Sequence, residues 1–184
     1  WSITATDDII SRKLREKVRN NQEIGEIRYF TNSYAGNHFH VFLIPGNWEY
    51  ELIELKRSGS VWNSMENTYI AHNYEPAAGR REYAEETAGA FYAARLAALE
   101  HLSSINRRAK VLVIRDVSPD YWAPLGVWVI REGVRQAFES HEELETMKDI
   151  RKKVSNSFMF LYRRIRRRSR LLESRQTSLE AFSR

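Results

Sequence analysis

The stretch GRREYAEETAGAFYAARLAALEHLSSI, Gly79 to Ile105, decides the fold of this 184-residue chain. At about 100° per residue, its apolar side chains share one face and glutamates lie opposite. The apolar set is Ala84, Ala88, Phe91, Ala98, Leu99, Leu102 and Ile105, against Glu82, Glu86 and Glu100. The spacing predicts one helix over Arg80 to Ile105. Because propensity alone does not stabilise it, its apolar face must be packed.

Arg95 lies in the middle of this apolar face. A buried guanidinium is unfavourable unless it is paired and hydrogen-bonded. Arg95 is therefore either the partner of a core-facing glutamate or an anion-binding arginine at the floor of a cleft.

Three further arginines lie at core-facing or edge positions. Arg131 falls inside the apolar face of a helix predicted over Leu125 to Ser140, and Arg135 lies at its edge. Arg115 lies on a buried strand. With Arg95 they could bind a phosphate or carboxylate, or they could pair with acidic residues of the body. A pocket around Arg95 and Arg131 would indicate an enzyme that processes nucleotides or nucleic acid.

Strand patterns flank the deciding stretch. The clearest are HFHVFLI, His38 to Ile44, and KVLVIRDV, Lys110 to Val117, whose alternate residues point to opposite sides. Gly36-Asn37 predicts a hairpin between His38–Ile44 and a strand over Glu26 to Ser33. Trp48 to Lys56 fits a strand or a short helix equally well.

The remaining segments before the C-terminus are less regular. Asp7 to Asn20 is predicted to be a helix, and Trp62 to Glu75 to be irregular or weakly extended. The inward stripe of the opening helix is expected to be Ile9, Ile10, Leu14 and Val18.

The charge of the chain is segregated. The net charge is +5, yet residues 151–175 contain ten Lys and Arg against one Glu, a net charge of +9. Residues 1–150 are left with −4. An acidic body with a basic C-terminal segment indicates a polyanion or an acidic protein surface as partner.

Glu142 to about Arg175 is predicted to be mostly helical, and Ser155-Asn156-Ser157 is a candidate break. Its apolar residues form a seam that would lie on the body or on a partner. The seam is Leu144, Met147, Val154, Phe158, Leu161, Ile165 and Leu172. Six arginines are candidate DNA-backbone contacts: Arg163, Arg164, Arg166, Arg167, Arg168 and Arg170. A solvated basic face, a membrane-surface helix and an adaptor that binds an acidic protein are the alternatives.

The last nine residues, QTSLEAFSR, carry a sliding-clamp binding pattern. In a single 3₁₀ turn, Leu179 and Phe182 would eclipse and form one hydrophobic plug. The amide of Gln176 can both donate and accept in a polar pocket. Ser183 occupies the place of a second aromatic residue, so we expect weaker binding than a two-aromatic plug gives. The alternative is an inert tail.

Several classes of site lack support. There is no cysteine, which excludes disulfides, thiol nucleophiles and cysteine zinc sites here and is compatible with a cytoplasmic location. His38 and His40 lie two apart on one strand face, but no third metal ligand follows at a recognisable spacing, so we predict two strand histidines and no metal. No phosphate loop or catalytic motif is present, and no reaction can be assigned. No apolar run is long enough to span a membrane.

The chain resembles the C-terminal part of the archaeal Nre family of DNA-repair proteins. The resembling stretches are GNHFHVFLIPGNWEYELIE from Gly36, GRREYAEETAGAFYAARLAALEHL from Gly79, VLVIRDVSPDYWAPLGVWVIREGVRQAF from Val111 and QTSLEAF from Gln176. The resemblance implies a role in the DNA-damage response and binding to PCNA through Gln176, Leu179 and Phe182. Members of the family begin with a cysteine zinc ribbon, so an N-terminal portion is expected to be missing.

We therefore predict an α+β fold, with a small mixed sheet packed by two long helices. Residues 1–142 would form the body, 143–175 the basic C-terminal helix and 176–184 a flexible clamp-binding tail.

Overall fold

The computed structural model describes residues 2–61, 63–121 and 125–173. The helices are α1 Ser2–Arg19, α2 Ala88–Ser104, α3 Trp128–Ala137, α4 Met147–Ser157, α5 Tyr162–Arg168 and α6 Arg170–Glu173. The strands are β1 Gln22–Glu23, β2 Ile27–Tyr34, β3 Asn37–Ile44, β4 Glu49–Lys56, β5 Tyr69–Glu75, β6 Arg107–Arg108, β7 Lys110–Val117 and β8 Glu142–Leu144.

Six strands form one mixed sheet in the order β5-β4-β7-β3-β2-β8. The β4–β7 pair is parallel and the other neighbours are antiparallel. The two short strands β1 and β6 pair separately and in parallel. This architecture confirms the predicted α+β class, and the β2–β3 hairpin is confirmed with Gly36 in its turn.

The sheet is covered on both faces. Helices α1, α2 and α3 pack on one face, which we call the helical face, against side chains such as Val111 and Val113 of β7. Helices α4, α5 and α6 pack on the other, the C-terminal face, against Leu112 and Ile114. The predicted alternation of β7 is confirmed.

The start of the deciding helix was predicted wrongly. Helix α2 begins at Ala88, whose φ of 45° breaks the helical path, and not at Arg80. The preceding loop follows β5: Arg80 Nη1 donates to the carbonyl of Tyr74 at 2.8 Å, and the Thr87 N–H donates to Asn73 Oδ1 at 2.9 Å. The irregular segment expected over Trp62 to Glu75 contains the regular edge strand β5.

The predicted one-sided pattern of this helix was also wrong. Every residue from Ala90 to Leu99 is buried. Helix α2 lies between α1, α3 and the sheet, so it has almost no solvent face. Of the three glutamates expected opposite the core, only Glu100 lies in the helix.

Helices α1 and α3 differ from their predicted boundaries and facing. Helix α1 begins at Ser2 and not at Asp7, and Ile9 and Ile10 are exposed although they were expected inside. Asp7, Ser11 and Val18 are the buried residues of α1. Asp7 pairs with Arg131 of α3 and Asp8 with Arg95 of α2, whereas Val18 packs in the core as predicted. Helix α3 covers Trp128–Ala137, a shorter range than predicted.

The segment predicted as one C-terminal helix is divided in the structure. It contains strand β8 and helices α4, α5 and α6, with breaks at residues 158–161 and at Ser169. The predicted seam is buried throughout against the C-terminal face of the sheet. The seam therefore belongs to the body.

Candidate nucleic-acid interface

Helix α5, with the sequence YRRIRRR, presents three distinct faces. Ile165 is fully buried and fixes the helix on the sheet, together with Leu161 just before its first turn. All five arginines of α5 are exposed at residue level. Their hydrogen bonds divide them into two sets.

The first set fastens α5 to the edge strand. Arg164 donates to the carbonyl of Thr68 at 2.9 Å. Arg168 donates to the carbonyl of Ile70 at 2.9 Å and to Glu86 at 2.6 Å. Just beyond α5, the guanidinium of Arg170 lies 4.7 Å from the ring centre of Tyr74. These three predicted DNA contacts therefore have structural partners within the protein.

The second set is Arg163, Arg166 and Arg167, which we call the outer arginine face. The three are exposed, and within residues 2–61, 63–121 and 125–173 none of their side chains has a hydrogen bond or an ion pair. Their spacing of three and four residues places them on one side of a helix. No acidic residue occurs between Ser155 and Leu172 to neutralise them. Arginine pairs well with phosphate, so this face can bind a polyanion.

A buried glutamate holds the chain just after the outer arginine face. Glu51 of β4 accepts hydrogen bonds from Ser169 Oγ at 2.7 Å, the Arg170 N–H at 2.7 Å and the Leu171 N–H at 3.1 Å. The Ser169 hydroxyl in turn accepts from the Leu172 N–H at 3.1 Å. These bonds satisfy the first turn of α6, so the end of the basic segment is fixed to the sheet.

An exposed apolar pair precedes α5. In the turn between α4 and α5, Phe158 and Leu161 are buried, but Met159 is 70% exposed and Phe160 is 93% exposed. The prediction of a seam missed these two residues. The run Phe158-Met159-Phe160-Leu161 was a usable signal, because four consecutive apolar residues cannot all face the same side of a helix.

The partners of Arg95 are carboxylates of the protein itself, which favours the structural interpretation over an anion-binding arginine. It donates to Glu75 of β5 and to Asp8 of α1. Glu75 also accepts from Arg15 at 3.1 Å and from the Trp48 indole at 3.0 Å. Burial by itself would lower the pKa of Arg95, but the two carboxylates raise it above its ordinary value. The guanidinium is permanently charged and internally matched.

The other three candidate arginines, of which only Arg115 is buried, have acidic partners as well. Arg115 pairs with Glu54 and donates to Asn37 Oδ1 at 2.8 Å. Arg131 pairs with Asp7 at 2.6 Å, and Arg135 pairs with Glu100 at 2.8 Å and with Glu132 at 2.5 Å. The structure gives each of the four a carboxylate partner within the protein. This geometry favours the structural interpretation over an arginine-lined catalytic pocket.

The strand histidines bond to side chains of β2. His38 Nδ1 lies 2.8 Å from Ser33 Oγ, and His40 Nδ1 lies 2.8 Å from the Tyr29 hydroxyl. Burial lowers the pKa of His40 to about 4. Among the described residues, no three His, Asp or Glu side chains are grouped as metal ligands. The chain has no cysteine, so these residues cannot supply the zinc ribbon that the family resemblance implies.

The predicted clamp-binding residues Gln176, Leu179 and Phe182 lie outside the described residues. Within the described part, no helix has both the length and the apolar character needed to cross a membrane.

Comparison with known protein families shows to which family this chain belongs. The family model for the C-terminal part of archaeal Nre matches residues 75–182, more than half of the chain, and the model for the N-terminal part matches residues 1–63. The chain belongs to the archaeal Nre family. The predicted resemblance is confirmed, and this Nre chain also carries sequence matched by the N-terminal model.

Curated Nre relatives align over nearly all of this chain. It is 44% identical to the DNA repair protein NreA of Haloferax volcanii over 100% of this chain and 44% of the relative. It is 38% identical to NreA of Archaeoglobus fulgidus, over 99% of this chain and 45% of the relative. NreB of Archaeoglobus fulgidus is 33% identical over 81% of this chain and 38% of the relative. The Nre chain thus spans less than half the length of these relatives, and no solved structure matches it.

Proposed function

We propose that this Nre chain is part of a cytoplasmic DNA-repair factor that contacts the DNA backbone through its outer arginine face and is recruited to PCNA through its C-terminal tail. The repair role follows the names of its relatives, which are DNA repair proteins. The observation that carries the DNA contact is the arrangement of Arg163, Arg166 and Arg167.

These three arginines are suited to phosphates for two reasons. They have no acidic partner among the described residues, so binding a phosphate breaks no internal ion pair. They are also mounted on a helix whose opposite side is buried at Ile165 and whose flank is bonded to β5 through Arg164 and Arg168. A rigid cationic stripe of this kind binds the backbone without reading sequence.

The clamp contact is supported by the tail sequence. Leu179 and Phe182 lie three apart and would form one apolar plug in a 3₁₀ turn, with Gln176 as the polar contact. A tail that folds on docking can reach a groove on another protein.

The DNA contact is tested by charge removal with a matched control. The triple variant Arg163→Gln, Arg166→Gln, Arg167→Gln should bind duplex DNA at least tenfold more weakly at low salt. The slope of log affinity against log salt should fall by roughly 2.7, about 0.9 for each lost phosphate contact. The measurement is fluorescence anisotropy between low and moderate salt.

The control is Lys13→Gln, Lys17→Gln, Arg19→Gln, which removes the same charge from exposed positions of α1 on the helical face. This variant should keep nearly the full slope. If both triple variants lose affinity equally, net charge and not the outer arginine face governs binding. Wild-type binding that does not weaken with salt would instead favour an acidic protein as the partner.

The clamp contact is tested by calorimetry of the chain with its cognate PCNA. Phe182→Ala should abolish the heat of binding, because it removes half of the apolar plug. Ser183→Ala should leave the heat unchanged, because that position makes no contact in the proposed mode. Absence of heat with the wild-type chain would end the clamp assignment and leave the DNA contact untouched.

A further inference from the structure

Met159 and Phe160 form the most exposed large apolar surface among the described residues. Phe160 is 93% exposed and Met159 is 70% exposed, whereas their neighbours Phe158 and Leu161 are almost fully buried. Exposing two adjacent large apolar side chains is unfavourable, so an apolar tip at this position indicates a binding role.

The tip is held by a hydrogen-bonded turn. The Phe158 N–H donates to the carbonyl of Val154 at 2.9 Å, and the N–H groups of Leu161 and Tyr162 both donate to the carbonyl of Phe158 at 2.8 Å. The Phe158 ring also packs edge-on against His40, 5.0 Å between ring centres. With both ends of the turn anchored in the core, Met159 and Phe160 are presented to solvent by a fixed backbone.

The charge around the tip selects the kind of partner. Phe160 precedes Arg163 by three residues, and the outer arginine face begins there. An apolar pair beside an unneutralised cationic stripe suits a partner with an anionic surface and an apolar interior. DNA has both, since its phosphates enclose stacked bases. Phenylalanine and methionine are among the side chains that proteins insert between base steps from the minor groove.

We propose that Met159 and Phe160 are a wedge that enters the base stack of DNA while the outer arginine face holds the adjoining phosphates. This inference rests on the proposed DNA contact. Arg163 to Arg167 rise about 6 Å along α5, roughly two base-pair steps at about 3.4 Å each. These arginines therefore match the phosphates of neighbouring steps, and the wedge precedes the first of them by three residues in the chain.

The wedge confers a preference among DNA structures. Opening an intact stack is unfavourable, and the opposition is smallest where a base is mismatched, damaged or already unpaired. Phe160 offers a ring on which an extrahelical base can stack without sequence selection. The chain should therefore bind a duplex with a bulged or mismatched base more tightly than a fully paired duplex of the same length.

The test uses duplexes that carry 2-aminopurine beside a single-base bulge, with a fully paired duplex of matched length. The wild-type chain should bind the bulged duplex about tenfold more tightly and should change its fluorescence on binding. Phe160→Ala should remove most of that preference and the fluorescence change. It should keep the salt slope, because no phosphate contact is lost.

Two further variants make the result specific. Ile9→Ala removes an exposed apolar side chain from α1 on the helical face and should change nothing. The triple arginine variant should lose affinity for both duplexes together. Circular dichroism and the unfolding midpoint of Phe160→Ala should match wild type, since the side chain has almost no contact to lose.

Each other outcome overturns the wedge. Equal affinity of wild type for the two duplexes, with the salt slope intact, removes the wedge and leaves the proposed DNA contact standing. A dimer that dissociates in Phe160→Ala, with no loss of bulge preference, assigns the pair to a second copy of the chain. If wild type binds neither duplex, both the wedge and the DNA contact fail.

Discussion

Two buried glutamates on neighbouring strands serve opposite purposes. Glu75 of β5 points to the helical face, where it accepts from Arg95, Arg15 and the Trp48 indole. Glu51 of β4 points to the C-terminal face, where it accepts from two N–H groups and a hydroxyl at the start of α6 and lies 2.7 Å from His72 Nε2. One glutamate neutralises arginines, and the other holds backbone.

The difference explains where arginines are available. On the helical face the acids of α1, β4 and β5 match the buried guanidiniums, so Arg95, Arg115 and Arg131 contribute to the fold. On the C-terminal face the buried acid is used by the backbone, and three arginines of α5 point to solvent. The number of arginines therefore does not distinguish the arginines that stabilise the fold from those that are available to a partner, whereas their acidic partners do.

The largest expected effect is the loss of Glu75. Glu75→Gln should lower the free energy of unfolding by about 3–5 kcal/mol, because Arg95 would remain buried with only Asp8 opposite. Urea denaturation followed by circular dichroism measures this loss. Glu82→Gln, at an exposed loop position, is the control and should lie within about 0.5 kcal/mol of wild type. A loss below about 1 kcal/mol for Glu75→Gln would contradict the assigned role.

A smaller and more local effect is expected at Glu51. Glu51→Gln should lower the free energy of unfolding by about 2 kcal/mol, because both carboxylate oxygens accept hydrogen bonds and an amide keeps only one acceptor oxygen. Hydrogen exchange should accelerate at the N–H groups of Arg170 and Leu171 and stay unchanged in α2. Equal acceleration on both faces of the sheet would refute the local role of Glu51.

The smallest expected effect is a loss of stability at acidic pH, to which one histidine on each face of the sheet contributes. Burial lowers the pKa of His101, on the helical face, and of His40, on the C-terminal face, to about 4 each. In the unfolded chain both take up protons near pH 6.5. The stabilisation from keeping them neutral is therefore complete above pH 6.5 and is lost as the pH falls from there towards 4.

Substituting His101 isolates the contribution that the histidine on the helical face makes to this pH dependence. Its ring stacks on Phe138 at 4.0 Å between centres, so His101→Phe keeps an aromatic ring at this site and removes the titration. Between pH 6.5 and pH 5, the free energy of unfolding of the variant should fall by on the order of 1 kcal/mol less than that of wild type. Urea unfolding at several pH values measures the slope. An unchanged slope would show that His101 is not buried as a neutral ring.

The sequence predicted those parts of the fold that depend on local periodicity. The alternation of KVLVIRDV identified β7, and Gly36 identified the hairpin, because each pattern is set by near neighbours. The start of α2 was predicted wrongly because Arg80 to Thr87 are helix-compatible by periodicity, yet bond to Tyr74 and Asn73 of β5. Such long-range bonds leave no periodic signal.

The candidate site was predictable in composition and not in arrangement. The arginine run was evident, but the prediction grouped Arg163, Arg166 and Arg167 with the other three arginines as equivalent DNA contacts. What separates them from Arg164 and Arg168 is the edge strand β5, which the sequence did not predict. The exposure of Phe160 follows from the break between α4 and α5. The run of four apolar residues from Phe158 to Leu161 was a sequence signal for it that the predicted seam did not use.

The anchoring of α6 would limit the distance between the two proposed partners, DNA and the sliding clamp. Glu51 fixes the chain at Arg170 and Leu171, α6 ends at Glu173, and only Ser174 and Arg175 separate it from Gln176. Three peptide units extend at most about 11 Å. A clamp bound to Gln176 would thus lie within about 11 Å of the end of α6. It would bring the cationic side of α5 close to the DNA strand that the clamp encloses.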